Sequence, residues 1–127
     1  MALDLNADRA HKHEFLERME SAVPWAEVNA LVVPHYHQDK GGQWAFSAGS
    51  MLRIYFLQQW FALADPVKEV APSDVPLFRE FAQLPADVAR LPDATTILRF
   101  RHLLQTRGLA GLILTVFHDS FCGKHRA

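Results

Sequence analysis

A stripe of polar side chains that could contact nucleic acid lies between residues 94 and 107. It consists of Thr95, Arg99, His102 and Thr106. Their spacing of i, i+4, i+7 and i+11 places all four on one face of a helix. Hydroxyl, guanidinium and imidazole groups can hydrogen-bond to phosphate oxygens and to base edges. The spacing therefore predicts a helix whose polar face can bind DNA.

The remaining residues of this segment fit the same helix. Arg101 and Arg107 add positive charge on the neighbouring faces. A polar face of this kind is also typical of a helix that is merely solvated, so the pattern alone leaves both interpretations open. The apolar residues that would pack inward are Ile97, Phe100, Leu103 and Leu104.

Other residue types that do chemistry are present, but not in a catalytic arrangement. His35, His37, Cys122 and His125 are of metal-ligand type, and the last two have plausible local spacing. Zinc sites usually use paired cysteines, whereas this chain has one cysteine. No serine is marked as a nucleophile, and no glycine-rich loop has phosphate-binding spacing. We therefore predict no catalytic residue, no metal site and no cofactor.

Charge is distributed unevenly along the chain. Thirteen Lys and Arg against fourteen Asp and Glu give a net charge of −1, which by itself argues against a polybasic binder of nucleic acid or membranes. Residues 95–127 carry five basic residues and one acid, a net charge of +4, whereas residues 1–94 carry −5. The polar stripe therefore lies in the basic part of the chain, as an electrostatic contact with phosphates requires.

Apolar residues recur with helical periodicity along almost the whole chain, and no stretch alternates for long as a strand does. With 127 residues, half of them hydrophobic, the sequence predicts one small all-α domain of several helices. A loop is predicted over 35–50 and a connection over 85–93. The predicted helices span residues 8–22, 24–33, 50–63, 65–71, 74–84, 94–107 and 109–118.

Capping residues and prolines set the predicted boundaries of the first three helices. Asp8 and Ser50 are the predicted N-caps of the first and third helices, and Pro34 is expected to end the second. The helix over 50–63 carries large apolar residues around most of its circumference. We therefore expect it to be the central and most buried helix.

The sixth predicted helix has signals at both ends. Asp93 or Thr95 can cap its start, and Gly108 stands where a left-handed residue is expected after its end. Together with the helix over 74–84 it predicts a helix-turn-helix-like arrangement. The connection over 85–93 is longer than the turn of a strict helix-turn-helix.

Signals for export or membrane insertion are missing from the sequence. The first ten residues mix charged and small side chains and contain no apolar run of the signal-peptide type. The apolar stretches over 51–63 and 109–117 are interrupted or too short to span a bilayer. A single cysteine rules out an intramolecular disulfide framework. We therefore expect a soluble, cytoplasmic protein with no membrane partner.

Two long blocks of the sequence resemble a known protein family. The blocks read MLRIYFLQQWFALADP at 51–66 and PDATTILRFRHLL at 92–104. They resemble the two signature stretches of the N-terminal domain of insertion-sequence-five-type bacterial transposases. The resemblance covers residues 14–110. Shorter matches in the same order are VPW at 23–25, PHY at 34–36 and PLFREFA at 76–82.

The resemblance implies a helical DNA-binding domain over 1–112 that recognises the terminal inverted repeats of a mobile element in double-stranded DNA. In this family a ribonuclease-H-like domain follows, and its three carboxylates hold two divalent metals that activate water and then the DNA 3′ hydroxyl. The candidate DNA-binding residues are the matching signature positions Thr95, Thr96, Arg99, Arg101 and His102, together with Thr106 from the polar stripe.

The sequence also departs from the family's pattern. Residues 41–49 read GGQWAFSAG where the family usually has Arg and Pro, so we expect weaker phosphate contacts there. Pro72 falls where the family continues a helix, and Ala94 replaces an acid. The resemblance fades after residue 112. We interpret 113–127 as an irregular, out-of-frame tail, and the chain as a truncated or frameshifted copy that lacks the catalytic domain.

A second hypothesis is a protein-interaction module that forms a homodimer or pairs with full-length transposase. It is based on the apolar residues of 51–63, which would form an unusually large apolar surface if they were exposed. Salt-dependent binding to DNA and self-association in solution distinguish the two hypotheses.

Overall fold

The computed structural model describes the backbone of residues 2–37, 44–85 and 91–126, and the side chains within 10–37, 44–85 and 91–120. Within these residues the regular structure is entirely α-helical, which confirms the all-α prediction. No helix in the described part is long and apolar enough to cross a membrane. The helices are α1 (Ala2–Ala22), α2 (Trp25–His37), α3 (Ala48–Phe61), α4 (Pro66–Glu69), α5 (Val75–Ala82), α6 (Ala94–Thr106) and α7 (Leu109–Arg126).

The central helix is α3, which packs against α2, α5 and α6. Ser47 caps its start, because the Ser47 hydroxyl accepts a hydrogen bond of 3.1 Å from the backbone N–H of Ser50. Ala62 adopts a left-handed conformation with φ 54° and ends the helix. Met51 and Leu52 are buried, as expected for a helix with apolar side chains around most of its circumference. The prediction of a central, buried helix is confirmed.

Two apolar clusters form the core. The first joins α2, α3, α6 and α7, and Val32 and Leu104 are fully buried within it. The second joins α1 and α5 to α3, and contains Leu16 and Phe78. Trp60 packs against both clusters. Because the clusters share α3 and Trp60, the helices that carry the candidate DNA-binding residues depend on the same core as the N-terminal helices.

An ion pair between a buried arginine and an exposed glutamate joins α1 to α3. Arg53 is only 6% exposed, and its Nη2 donates to Glu20 Oε1 at 3.0 Å while its Nη1 contacts Glu20 Oε2. Nη1 also donates to the backbone carbonyl of Phe81 in α5 at 3.1 Å. The guanidinium carbon lies 4.0 Å from the centre of the Trp25 ring. One side chain thus connects α1, α2, α3 and α5.

A second ion pair joins α1 to α5. Lys12 Nζ donates to Asp74 Oδ2 at 2.8 Å, and Asp74 is buried. Asp74 precedes the first residue of α5, as the sequence predicts, but its carboxylate makes no capping hydrogen bond. The carboxylate instead attaches the start of α5 to α1.

Two helices begin at other residues than predicted. α1 begins at Ala2 and not at an Asp8 cap, because the alanines and leucines before Asp8 favour a helix. α3 is capped by Ser47 and not by Ser50. Both serines are suitable N-caps by type, and Ser50 lies inside α3, with its hydroxyl 3.4 Å from the carbonyl oxygen of Gln83.

The prediction that Pro34 ends the second helix is wrong, because α2 continues for three more residues. Within a helix, a proline lacks the N–H that would donate to the carbonyl four residues earlier, so other contacts must stabilise the turn that contains it. Tyr36 is buried, and its hydroxyl donates to the carbonyl of Phe46, so tertiary packing stabilises this last turn. The predicted loop over 35–50 is therefore shorter at both ends, and residues 38–43 lie outside those that the structure describes.

The prediction of irregular structure over 113–127 is wrong as far as Arg126, because α7 continues to that residue. Leu109 and Ile113 are each 2% exposed and pack in the first cluster. Val116 extends the same inward face by one turn. An amphipathic face that packs against α2 and α6 therefore supports the helix. The domain limit at residue 112 stays a prediction.

We expect Arg53→Ala to lower the free energy of unfolding by about 2–3 kcal/mol, because it removes a buried guanidinium with its hydrogen bonds and its packing against Trp25. Glu20 is 45% exposed and can be rehydrated, so the cost stays below that of a fully buried pair. Urea unfolding measures the change. Arg18→Ala, at an exposed position of α1, is the matched control and should change stability by less than about 0.5 kcal/mol. Equal urea midpoints for Arg53→Ala and wild type would contradict a structural role for the pair.

Candidate nucleic-acid interface

The helix that carries the candidate DNA-binding residues forms within one residue of its predicted bounds. Of the two predicted caps, Asp93 is the one used: its Oδ1 accepts a hydrogen bond of 2.8 Å from the backbone N–H of Thr96. Hydrogen bonds from the backbone and then the side chain of Thr96 lower the pKa of Asp93 from its ordinary value. Gly108 has φ 65°, the left-handed conformation expected after the helix. Local sequence signals therefore define both ends of α6.

The side chains of α6 divide into a buried face and an exposed face. The buried residues are the four predicted apolar positions, Ile97, Phe100, Leu103 and Leu104. Of the candidate DNA-binding residues, Thr95, His102 and Thr106 are exposed, whereas Thr96, Arg99 and Arg101 are half-buried. The structure therefore brings three members of the predicted stripe together at the surface and places the other candidates at the sides of the exposed face.

Two exposed residues on this face were not among the residues predicted from the sequence. Leu98 is 66% exposed, and Gln105 is also exposed. Leu98 lies three residues after Thr95 and four before His102, so helical spacing alone could have found it. Its apolar side chain instead suggested a position in the core. The exposed surface of α6 thus combines hydroxyl, imidazole, amide and aliphatic groups.

Arg99 and Arg101 lie on opposite sides of the exposed face. Two residues along an α-helix correspond to a rotation of about 200°, and both side chains are half-buried. α6 itself contains no acidic residue. The exposed face is therefore bordered by positive charge on both sides.

Arg99 contacts an aromatic ring from another part of the chain. Its guanidinium carbon lies 3.7 Å from the centre of the Trp44 ring. Trp44 in turn stacks on Tyr36, with ring centres 4.5 Å apart and an interplanar angle of 20°. Periodicity cannot predict this contact, because the two residues are far apart in sequence and belong to different elements.

Three elements support α6. It packs against α2, α3 and α7, and the turn at Gly108 leads directly into α7. Eleven residues separate the end of α5 from the start of α6, compared with about three or four in a strict helix-turn-helix. Residues 86–90 of this connection lie outside the described part of the chain. The helix-turn-helix-like arrangement therefore stays a prediction.

The metal-ligand residue types do not form a cluster where the structure describes their side chains. Among those residues no group of three His, Cys, Asp or Glu could hold a metal ion. Cys122 and His125 lie in α7, and their side chains are outside the described set. His35 is half-buried, and its Nδ1 atom is buried without a hydrogen-bond partner.

An all-α domain with a basic-edged, polar helix face is the class that these observations define. The family model described as Transposase domain (DUF772) matches residues 4–103, which is 100 of the 127 residues. The chain therefore belongs to this transposase domain family. The match ends within α6 at Leu103 and includes the residues between Thr95 and His102. No solved structure matches the chain.

Asp93→Ala should destabilise the protein at neutral pH, because the charged carboxylate caps α6. In the folded state the pKa of Asp93 lies below its ordinary value of 3.8. Its stabilising contribution is therefore present above pH 3.8 and is lost as the pH falls through the lowered folded value. Urea midpoints between pH 7 and pH 3 measure the difference from wild type. Asp93→Asn, which retains a capping side chain, is the control. A difference between wild type and Asp93→Ala that widens on acidification would contradict this assignment.

Proposed function

We propose that this domain recognises double-stranded DNA at the ends of a mobile element of the insertion-sequence-five type. In this proposal the terminal inverted repeats are the ligand, and the exposed face of α6 is the contact surface. The observation that carries the proposal is the exposure of Thr95, His102 and Thr106 between Arg99 and Arg101, on a helix without acids, in a transposase-family domain.

The dimensions of an α-helix suit this mode of recognition. With its side chains a helix is about 10–12 Å in diameter, and the major groove of B-DNA is about 12 Å wide. A helix in the groove directs its exposed face to the base edges and its two sides to the phosphate backbones that border the groove. We assign base contacts to Thr95, His102 and Thr106, and phosphate contacts to Arg99 and Arg101.

The proposed contacts fall into two energetic classes. Phosphate contacts by arginine provide affinity that decreases with salt, because binding releases condensed counterions. Contacts of hydroxyl and imidazole groups with base edges provide sequence preference. Thr96 lies on the Arg99 side of α6, three residues before it, but its side chain already hydrogen-bonds to Asp93, so we assign it no phosphate contact. Arg99 and Arg101 in α6, and Arg107 at its C-cap, give this helix a positive charge that favours the approach of DNA.

In the family that the sequence resembles, we expect the metal-dependent chemistry to belong to a separate domain. We therefore propose a recognition role for this chain and assign none of its residues to catalysis. Because its ligand is bacterial DNA, we expect the chain to act in the cytoplasm.

We expect Arg101→Ala and Arg99→Ala each to weaken binding to element-end DNA several-fold. Each should also reduce the slope of log K against log salt by about one unit, because one phosphate contact is lost. Gel-shift titrations at several salt concentrations, with terminal-inverted-repeat duplexes of insertion-sequence-five-type elements and a random duplex of equal length, measure both quantities.

Arg18→Ala is the matched control for these variants, because it removes the same charge from an exposed position of α1. It should leave affinity and salt slope unchanged. Equal affinity for the element-end and random duplexes would reject sequence-specific recognition. Wild-type binding by both Arg99→Ala and Arg101→Ala would reject α6 as the contact surface.

The alternative function is self-association or pairing with full-length transposase. The residues that support it lie on α7 and not, as the sequence suggested, on α3. The apolar residues of α3 that suggested it are mostly buried in the core. Among the described side chains of α7, Leu112 is 48% exposed and Leu114 is 70% exposed. Leu114 lies beside Phe117 in a shallow apolar hollow. Light scattering during gel filtration tests this alternative, and a monomer without affinity for transposase would reject it.

A further inference from the structure

We propose that Trp44 is a positioning residue that holds the guanidinium of Arg99 at the side of α6 where DNA approaches. The inference deepens the proposed function and rests on it. The observation that carries it is the 3.7 Å contact between the Arg99 guanidinium carbon and the Trp44 ring centre. This distance is well inside the range of about 6 Å over which cations and aromatic rings attract each other.

The Trp44 ring is itself held by other aromatic rings. Tyr36 stacks on it at 4.5 Å, and the ring of Phe100 meets the rings of Trp44 and Tyr36 edge-on at 6.1 Å and 6.0 Å. Tyr36 and Phe100 are both buried core residues. We refer to Tyr36, Trp44 and Phe100 together as the aromatic support. Two of the three rings therefore belong to the core, and Trp44 packs against both of them.

The aromatic support also connects three parts of the chain to Arg99. Tyr36 lies in the last turn of α2, and Phe100 follows Arg99 directly in α6. The hydroxyl of Tyr36 donates to the carbonyl of Phe46, which holds the segment after Trp44 against α2. Trp44 is thus held by its ring contacts with Tyr36 and Phe100 and by the attachment of the segment that follows it, and Arg99 rests on this ring.

Stacking restricts an arginine side chain without using its hydrogen-bonding direction. The guanidinium group is planar, and its N–H donors point outward in that plane, whereas the aromatic ring contacts its flat face. A stacked arginine can therefore still donate to a phosphate. An arginine that is already ordered loses less conformational freedom when DNA binds, which increases affinity.

Trp44 belongs to a segment whose sequence departs from the family's usual pattern. It lies in the segment 41–49, which lacks the arginines and prolines usual for the family, and for which the sequence predicts weakened phosphate contacts. In the proposed arrangement Trp44 increases DNA affinity by ordering the side chain of Arg99. A residue without charge thereby affects an electrostatic contact.

Arg99→Lys tests the positioning of the side chain separately from its charge. Arg99→Lys retains the positive charge and leaves the aromatic support intact, but an ammonium group has no flat face to stack. We expect Arg99→Lys to bind element-end duplexes more weakly than wild type but more tightly than Arg99→Ala, because it keeps the charge and loses the stacking. Wild-type affinity of Arg99→Lys would overturn the inference.

A double-mutant cycle tests the coupling of Trp44 to Arg99. Trp44→Leu should weaken binding about 3- to 10-fold in the wild-type background and less than about 2-fold in the Arg99→Ala background, because its effect acts through Arg99. Trp44→Phe retains an aromatic face and should bind nearly as wild type. Urea unfolding of each variant accompanies the titrations, and a Trp44→Leu that does not fold is replaced in the cycle by Trp44→Met.

The outcomes separate the two proposals. Non-additive effects of the substitutions at positions 44 and 99 support the inference. Additive effects, or wild-type binding by Trp44→Leu, overturn it and leave the proposed function standing if Arg101→Ala still weakens binding. Wild-type binding by Arg99→Ala together with weak binding by Arg101→Ala overturns the inference alone. Wild-type binding by both overturns the proposed function and the inference together.

Discussion

The buried guanidinium of Arg53 is the interaction on which the arrangement of the helices depends. An arginine in the interior is costly unless its charge and its donors are satisfied. Here Glu20 from α1 supplies the charge, Phe81 in α5 supplies a carbonyl, and Trp25 in α2 supplies an aromatic face. Four helices must therefore be in place together for one side chain to be accommodated. This requirement fixes α3 in the centre, and α6 packs on α3.

The sequence was sufficient for the features that arise locally. Periodicity predicted the helices, and short-range signals at Asp93 and Gly108 placed the ends of α6 within one residue. The start of α1 at Ala2 also follows from local helix propensity, whereas the failure at Pro34 was decided by a distant contact. α2 passes Pro34 because Tyr36 is buried and its hydroxyl donates to the carbonyl of Phe46. Such contacts depend on which helices become neighbours, and local patterns carry no information on that.

The candidate site divides in the same way. The spacing of Thr95, His102 and Thr106 predicted that they share a face, and the structure exposes all three on α6. The spacing did not reveal that Arg99 rests on Trp44, because the contact joins residues 55 positions apart in the sequence. Nor did it single out Leu98, since apolar type suggested the core. A face can thus be predicted from one helix alone, whereas the order of its side chains requires the whole fold.

The packing of α7 has a consequence for where this family's domain ends. The family match stops at Leu103, yet Leu109 and Ile113 are almost completely buried between α2 and α6. Both side chains belong to the same buried cluster as Phe100. In this chain the hydrophobic core therefore includes residues beyond the matched segment. α7, which follows the matched segment, completes the hydrophobic core behind the exposed face of α6.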